Sequence, residues 1–225
     1  SKADGGQFDG NVTMAGTLST TGNATFSGDI IKSTSGTSNF AAGVNAGNSI
    51  ASGGNYNTVV GDEAGTALTT GDNNVAVGFE ALKTEDAHGQ NVAVGYRALK
   101  TLNAAGDAHN TAVGNLAGED VTTATANTLI GSLSGMNLTT GGSNTALGYN
   151  SLEVDTAGSR TVAIGFNALQ AQNFSSATTS YNTAVGYNSG LLVTTGTQNT
   201  LIGYQSGTAL TDADFNVALG TNALA

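Results

Sequence analysis

Three groups of side chains in this chain carry functional groups that could do chemistry: paired carboxylates, two histidines and a set of aromatic rings. The carboxylate pairs are Asp62/Glu63, Glu119/Asp120 and Asp212/Asp214. Two carboxylates can divide the acid and base roles of glycoside hydrolysis, and Asp212 with Asp214 could bind calcium. No two pairs are expected to share a pocket, and no Asp-x-Asp-x-Asp-Gly loop occurs. We therefore interpret the pairs as solvated turn residues, and we expect no catalytic residue and no metal site.

The two histidines, His88 and His109, each lie shortly before an asparagine in a predicted turn. Histidines that meet across a threefold axis can hold a metal or an anion, but a lone turn histidine is more often solvated. The chain has no cysteine, no Ser/His/Asp set, no phosphate loop and no zinc-ligand spacing. We accordingly predict a protein that is not an enzyme and that needs no cofactor.

The aromatic rings occur in pairs whose members are 17 residues apart and follow a glycine: Phe79/Tyr96, Tyr149/Phe166 and Tyr187/Tyr204. Rings one strand spacing apart, about 4.8 Å, could stack sugar rings. They could equally stack on each other or fill a seam between chains. We take Tyr149, Phe166, Tyr187 and Tyr204 as candidate glycan contacts, with the structural role as the favoured interpretation.

The same 17-residue interval organises the whole chain. The phrase Asn-Thr/Val-x-aliphatic-Gly recurs ten times between Asn57 and Gly220, and its closing glycines lie 17 residues apart except at intervals of 19 and 21. A degenerate copy spans Asn39 to Gly43. A short fixed period indicates stacked coils, and 17 residues are too few for the helical repeats, which need about 33. The chain is therefore predicted to be all-β, a parallel β-solenoid (β-roll) of about eleven 17-residue coils over residues 39–225, after an N-terminal β neck over residues 1–38.

Each coil is predicted to contain two short strands and two turns. The fourth position of the phrase is aliphatic from Val60 onward, and we expect these side chains to form one buried column. The second half of each coil carries either leucine or glycine at one position, and from Gly65 onward the glycine coils have an aliphatic residue three positions later. The two types occur in adjacent pairs, which the sequence does not explain. The two long intervals place insertions at Thr101–His109 and Gln170–Tyr181, expected to be loops on one face.

The first position of the phrase is asparagine in nine of the ten copies, with Thr161 as the exception. The nine are Asn57, Asn74, Asn91, Asn110, Asn127, Asn144, Asn182, Asn199 and Asn216. The column could be a row that binds a ligand. The favoured interpretation is structural, either amides that hydrogen bond from coil to coil or turn residues with positive φ.

Charge and hydropathy exclude several partners. The net charge is −10 with six Lys/Arg, whereas the nucleic-acid backbone and anionic lipid need cationic clusters. No run of eighteen apolar residues is present, so membrane insertion is not expected. A 17-residue coil has a thin interior and leaves apolar surface without cover, which predicts packing against copies of the same chain. We expect a homotrimer, and a monomeric β-helix is the alternative.

The repeat resembles a known one. Asn144-Thr-Ala-Leu-Gly-Tyr-Asn-Ser-Leu152 and Leu138-Thr-Thr-Gly-Gly-Ser-Asn-Thr-Ala146 are similar to the Asn-Thr-Ala-Ile-Gly-Tyr-x-Ala-Leu arrays of phage tail fibres and large bacterial surface proteins. Those arrays often precede an endosialidase-type intramolecular chaperone domain, and they are more loosely similar to trimeric autotransporter adhesin heads. The resemblance implies a homotrimeric fibre in a virion or on a cell surface, with further fibre or particle proteins and host glycans as its partners.

The expected function is thus a structural fibre segment that supports or carries out attachment to a host or surface. Three alternatives stay open at this point. They are a glycan-binding adhesin module that uses lateral aromatics and inserted loops, a tailspike-like depolymerase, and an ice-binding solenoid that uses the Thr-Thr-Gly turns at residues 69–71, 139–141 and 194–196.

Overall fold

The computed structural model describes residues 34–225, which belong to the compact unit Ile31–Ala225. This part of the chain is a parallel β-solenoid of eleven coils, as the repeat predicted, and no helix that could cross a membrane is found in it. Of the predicted neck, residues 1–33 lie outside the described residues. Thr37 already hydrogen bonds to the first coils, since its carbonyl accepts from Tyr56 N at 3.0 Å and its N–H donates to Asn55 Oδ1 at 2.9 Å.

Thirteen short strands form the two sheets of the described chain. They are β1 (Phe40–Ala42), β2 (Thr58–Val60), β3 (Val75–Val77), β4 (Val92–Val94), β5 (Thr111–Val113), β6 (Thr128–Ile130), β7 (Thr145–Leu147), β8 (Gly158–Ser159), β9 (Val162–Ile164), β10 (Thr178–Thr179), β11 (Thr183–Val185), β12 (Thr200–Ile202) and β13 (Val217–Leu219). All but β8 and β10 lie in one eleven-stranded parallel sheet in chain order, and β8 pairs with β10 in a small second sheet. Equivalent phrase positions pair with each other throughout, as Thr58 with Val75 and Val60 with Val77.

The side chains at the third phrase position form the buried column of the sheet. The prediction that the fourth position is buried was therefore wrong. Ala76 and Ala112 are fully buried, whereas Leu147 is 43% exposed and Ile202 is 37% exposed. Successive side chains of a strand point to opposite faces. Because the asparagine at the first position points inward, the third position must also point inward, and the second and fourth must point outward.

The second half of the coil supplies the other buried column. Leu68, Leu82, Leu138 and Leu152 are all fully buried. This half is not a strand in most coils, which differs from the predicted two strands per coil. It turns through residues with positive φ, such as Leu82 at 50°. That conformation costs a non-glycine residue about 1–2 kcal/mol, which the burial of a leucine side chain offsets.

The structure explains why glycine coils come in pairs. Leu129 fills the space over two successive glycines, because a Cβ added to Gly118 or Gly135 would lie 2.7 Å from a Leu129 Cδ atom. Val59 and Leu201 do the same for the other two glycine pairs. The first glycine coil of each pair and all the leucine coils carry alanine at the third phrase position. One large strand residue therefore requires two small partners. Because glycine pairs alternate with leucine pairs, the pattern of the core repeats every four coils.

Candidate functional site

One candidate surface is the outward face, which we define as the second and fourth phrase positions of the eleven strands of the main sheet. Its second positions are threonine or valine from Thr58 onward, its fourth positions are aliphatic from Val60 onward, and none of its side chains is charged. Most of these side chains are half-buried by their neighbours in the adjacent coils, as the recurring strand pattern of half-buried, buried and half-buried residues shows. The face is therefore a continuous uncharged strip along the sheet.

A row of aromatic rings borders this strip. Tyr149, Phe166, Tyr187 and Tyr204 form one continuous stack, with ring centroids 5.3, 5.2 and 5.5 Å apart and planes within 17° of parallel. We call these four residues the aromatic stack. The predicted pairs have thus merged into a row, and Phe79 with Tyr96 forms a separate pair at 5.5 Å. Rings in the stack are 41–49% exposed, but the faces of Phe166 and Tyr187 contact neighbouring rings on both sides.

The asparagines of the first phrase position lie inside the solenoid and join each coil to the next. Asn127 is typical, since its Oδ1 accepts the backbone N–H of Asn144 at 2.9 Å and its Nδ2 donates to Gly141 O at 3.0 Å. Both partners lie about one turn of the solenoid further along the chain. The side chain is 1% exposed, and the eight other asparagines of the column are buried or half-buried. Because these amide groups bond the backbone from the inside, the column, which we call the Asn ladder, offers no surface to a ligand.

At the one break in the ladder the second insertion supplies a replacement. Gln172 donates from Nε2 to Thr161 Oγ1 at 3.1 Å, and its Oε1 accepts from Asn182 Nδ2 at 2.8 Å. The backbone N–H of Asn182, which an asparagine of this coil would accept, donates instead to Ser180 Oγ at 3.3 Å. Ser180 and Gln172 together therefore replace the asparagine of this coil. The sequence reasoning missed Gln172, although its position three residues after Leu169 matches that of core residues in other coils.

The charged side chains that could have formed a site are engaged in coil-to-coil contacts. Glu80 contacts three cations, Lys83 at 2.7 Å, Arg97 at 2.8 Å and Lys100 at 3.4 Å. The Lys83 ammonium donates a hydrogen bond to the Glu80 carboxyl and lowers its pKa, and the charge of Lys100 lowers this pKa further. Lys83 also pairs with Glu63. These contacts tie neighbouring coils at one corner of the solenoid.

The remaining predicted carboxylates are not brought together. Asp62, Asp120 and Asp212 are exposed, and Asp214 Oδ1 accepts from Thr197 N at 2.6 Å, so it closes a turn of the preceding coil. None of these contacts joins two of the predicted carboxylate pairs.

The histidines occupy different positions of two successive coils. His88 Nδ1 lies 3.7 Å from Glu85 Oε1, while His109 is an exposed turn residue with φ of 53°. Glu85, Asp86 and His88 each bring one oxygen or nitrogen within 4.8 Å of the others. Both Glu85 oxygens already accept backbone N–H groups, and for that reason we assign no metal ligand here.

The Thr-Thr-Gly turns use their first hydroxyl within the fold. Thr69 Oγ1 donates to Asp86 O at 2.8 Å, and Thr139 and Thr194 make the equivalent bond to the next coil. The second threonine of each turn is exposed. Only one hydroxyl of each pair is therefore free to face solvent.

Comparisons with protein-family models, with curated proteins and with solved structures gave no match for this chain. Its function is consequently inferred from the residues of the chain itself.

Two buried carboxyl groups were also missed in the sequence. Glu85 and Asp155 are fully buried, and each lies three residues after a core leucine, Leu82 or Leu152. In the glycine coils the matching position carries a core aliphatic residue such as Leu68 or Leu138. This alignment is the signal that could have identified them as buried, because a carboxylate at a core position is an exception to the pattern.

Proposed function

We propose that this chain is a structural segment of a homotrimeric fibre, in a phage tail fibre or a comparable cell-surface appendage, that supports attachment to a host or surface. The observation that carries the proposal is the outward face, an uncharged strip that runs the length of the sheet. An aliphatic row of this length at the surface, such as the fourth phrase positions form, is typical of an interface. Threefold symmetry lets three identical strips close around one axis.

The size of the strip is consistent with such an interface. Eleven strands about 4.8 Å apart and three residues of about 3.3 Å each give a strip of roughly 50 by 10 Å. The aromatic stack beside it brings the area toward the roughly 800 Å² per partner of a standard interface. The charged corner around Glu80 lies outside the strip, so packing through the strip would bury no unpaired charge.

Coil-to-coil bonding supports a mechanical role over a recognition role. The Asn ladder, the threonine hydroxyls and the ion pairs at Glu80 all join one coil to the next. The first hydroxyl of each Thr-Thr-Gly turn, which a regular hydroxyl row would need, is used in these bonds. We extend the proposal to location: the fibre belongs to a virion or to the outside of a cell, with other fibre or particle proteins as neighbours.

One feature favours the glycan-binding alternative, because the ring edges of the aromatic stack are exposed. Sugars stack on ring faces, however, and the faces of Phe166 and Tyr187 are covered by neighbouring rings. Co-sedimentation with a polysaccharide that Tyr187→Ala abolishes, without loss of the oligomer, would favour this alternative.

The test of the trimer is its mass in solution. We expect light scattering to give about 66 kDa, three times the 22.1 kDa of one chain. Ile130→Asp places three carboxylates on the packed faces and should yield a folded monomer of about 22 kDa, because burying unpaired charge costs several kcal/mol. Thr123→Asp, an exposed position away from the outward face, adds the same charge and should leave the trimer intact. A monodisperse wild-type monomer would overturn the proposal.

A further inference from the structure

Each of the two inserted loops covers a buried carboxyl group, a feature that the proposed fibre role does not require. Glu85 and Asp155 are 70 residues apart and occupy equivalent positions, each in the first leucine coil of a pair. Both side chains have no exposed surface. The insertions Thr101–His109 and Gln170–Tyr181 follow in the next coil each time, so each carboxyl lies under the loop of its neighbour.

Each carboxyl bonds its own turn and the neighbouring loop at once. Asp155 Oδ1 accepts the backbone N–H of Gly158 at 3.0 Å and that of Phe174 at 3.1 Å. Glu85 accepts from His88 N and from Ala104 N, each at 3.2 Å. The sequence offsets are three and nineteen residues in both cases. Phe174 and Ala104 belong to the two insertions and are themselves buried.

The contacts of Asp155 leave no room for other side chains. A Cβ added to Gly158 would lie 2.1 Å from Asp155 Oδ2 and 2.8 Å from the Phe174 ring. Asp155 Oδ2 accepts from Gln172 Nε2 at 2.6 Å. The loop is thus held by the carboxyl, by the Phe174 ring above it and by Gln172, which also bonds to Asn182 of the Asn ladder.

Neither carboxyl contacts a lysine or an arginine among residues 34–225. The charged residues near Asp155 contact other groups. Glu153 accepts a hydrogen bond from Gln170. Arg160 donates to Thr179 and lies over the Tyr181 ring. An ionised carboxyl that is buried without a cation is costly, and desolvation favours its neutral form.

The surroundings of Glu85 are similar. Asp86 and His88 face it from its own turn, with His88 Nδ1 at 3.7 Å. On the loop side, the two oxygens of the Asp107 carboxylate already accept hydrogen bonds from Gly89 N and from the Gln90 side chain.

We propose that Glu85 and Asp155 are proton-controlled anchors, which hold the two inserted loops most firmly when the carboxyl is neutral and let them open more readily when it ionises. A proton on Asp155 Oδ2 leaves Oδ1 free to accept from both Gly158 and Phe174, and the remaining lone pair of Oδ2 still faces Gln172 Nε2. An ionised Asp155 instead gains by moving into water, which requires the loop to lift. Each anchor and its loop belong to the same chain, so the device operates whether or not that chain is trimeric.

The direction of the pH effect follows from the burial. Burial raises the pKa of the Asp155 carboxyl above its ordinary 3.8 and that of Glu85 above 4.5, against the opposing effect of the donated hydrogen bonds. A docked loop therefore binds the proton more tightly than an open loop. Docking is strongest below the ordinary pKa, weakens as pH rises toward the raised pKa, and then becomes constant.

Amide hydrogen exchange of Phe174 and Ala104 tests this proposal. Protection factors, corrected for the intrinsic pH dependence of exchange, are measured from pH 4 to pH 8 with the amides of β9 as an internal reference. We expect the protection of both loop amides to fall with rising pH, by at most about tenfold per pH unit, while that of β9 stays constant.

Two variants act as controls for each other. Asp155→Asn should make the protection of Phe174 independent of pH and leave the profile of Ala104 unchanged. Glu85→Gln should do the reverse. Asp120→Asn removes the same charge from an exposed side chain and should change neither profile.

Three results would overturn the inference. These are loop protection that is flat with pH in the wild type, protection that rises with pH, and a Phe174 profile that persists in Asp155→Asn. Should a variant fail to fold, the two wild-type profiles against the β9 reference still decide between the outcomes.

Discussion

At the scale of the residue, one side chain accounts for most of the regularity of this solenoid. An asparagine carboxamide carries an acceptor oxygen and a donor nitrogen on the same carbon atom. Asn127 uses both on the backbone about one turn further along, and neither partner group, Asn144 N–H or Gly141 C=O, can reach water there. Buried backbone groups must be paired, and asparagine pairs both of these groups with a single side chain.

Removing one rung of the Asn ladder should therefore be strongly destabilising. Asn127→Ala leaves one buried N–H and one buried C=O without partners, at about 1–3 kcal/mol each. We expect a loss of about 2–5 kcal/mol in the free energy of unfolding, measured by denaturant titration. Asn137→Ala is the matched control, because Asn137 is half-buried and its side chain makes no hydrogen bond within residues 34–225. Its effect should stay within about 0.5 kcal/mol, and equal losses for the two variants would contradict the assignment.

At the scale of the element, the coil is not the unit of packing. The Leu129 side chain fills the space over Gly118 in the preceding coil and over Gly135 in its own coil. Interiors are close-packed, so a large residue and its small neighbours are selected together. This physical coupling produces the alternation of glycine pairs and leucine pairs along the chain.

A double-mutant cycle can measure that coupling. Gly135→Ala should destabilise the protein, because the added Cβ would lie 2.7 Å from a Leu129 Cδ atom and because φ is +55°. Leu129→Ala alone should cost about 3–5 kcal/mol through the cavity it creates. In the double variant the clash with Leu129 disappears, whereas the backbone strain and the contact with Leu138 Cδ1 at 3.0 Å stay. We therefore expect a favourable coupling of about 0.5–3 kcal/mol between the two sites.

The control for this cycle is Gly106→Ala combined with Leu129→Ala. Gly106 has nothing within 4 Å of an added Cβ, and the two changes should be additive. Additivity in the Gly135 cycle as well would show that Leu129 does not fill the space over Gly135.

At the scale of the whole molecule, the described chain should tolerate removal of a pair of coils better than removal of one coil. Deleting residues 110–143 removes both glycine coils with their shared Leu129 and brings one leucine pair next to the other. Deleting residues 110–126 alone places Leu129 against Leu99, in space that natively accommodates only Gly118. Overpacking of this kind costs about 1–3 kcal/mol.

We therefore expect the longer deletion to give a soluble protein with a melting temperature above that of the shorter deletion, as followed by circular dichroism. A deletion of eight residues from residue 110 serves as the control that breaks the register, and it should aggregate. A higher melting temperature for the single-coil deletion would indicate that coils pack independently.

The sequence by itself determined the period of the solenoid and the features that depend on that period alone. Ten phrases with glycines mostly 17 residues apart predicted a parallel β-solenoid, the stacked asparagines and the positions of both insertions. Periodicity carries this information because identical positions of stacked coils must contact each other, whatever the details of the coil. The buried leucine column was predictable for the same reason, since Leu82 and Leu138 recur at fixed distances from the phrase.

The tertiary structure decided which side of the strand faces inward and what the apparent exceptions do. Because Val77 is larger than Ala76, the prediction placed the valine in the core. The asparagine Asn74 points inward, however, and the alternation of the strand then buries the alanine. Likewise, the burial of Glu85 and Asp155 depends on the loops of the next coil, which cover them. Orientation and burial depend on contacts between residues distant in sequence, and a pattern within one coil does not contain those contacts.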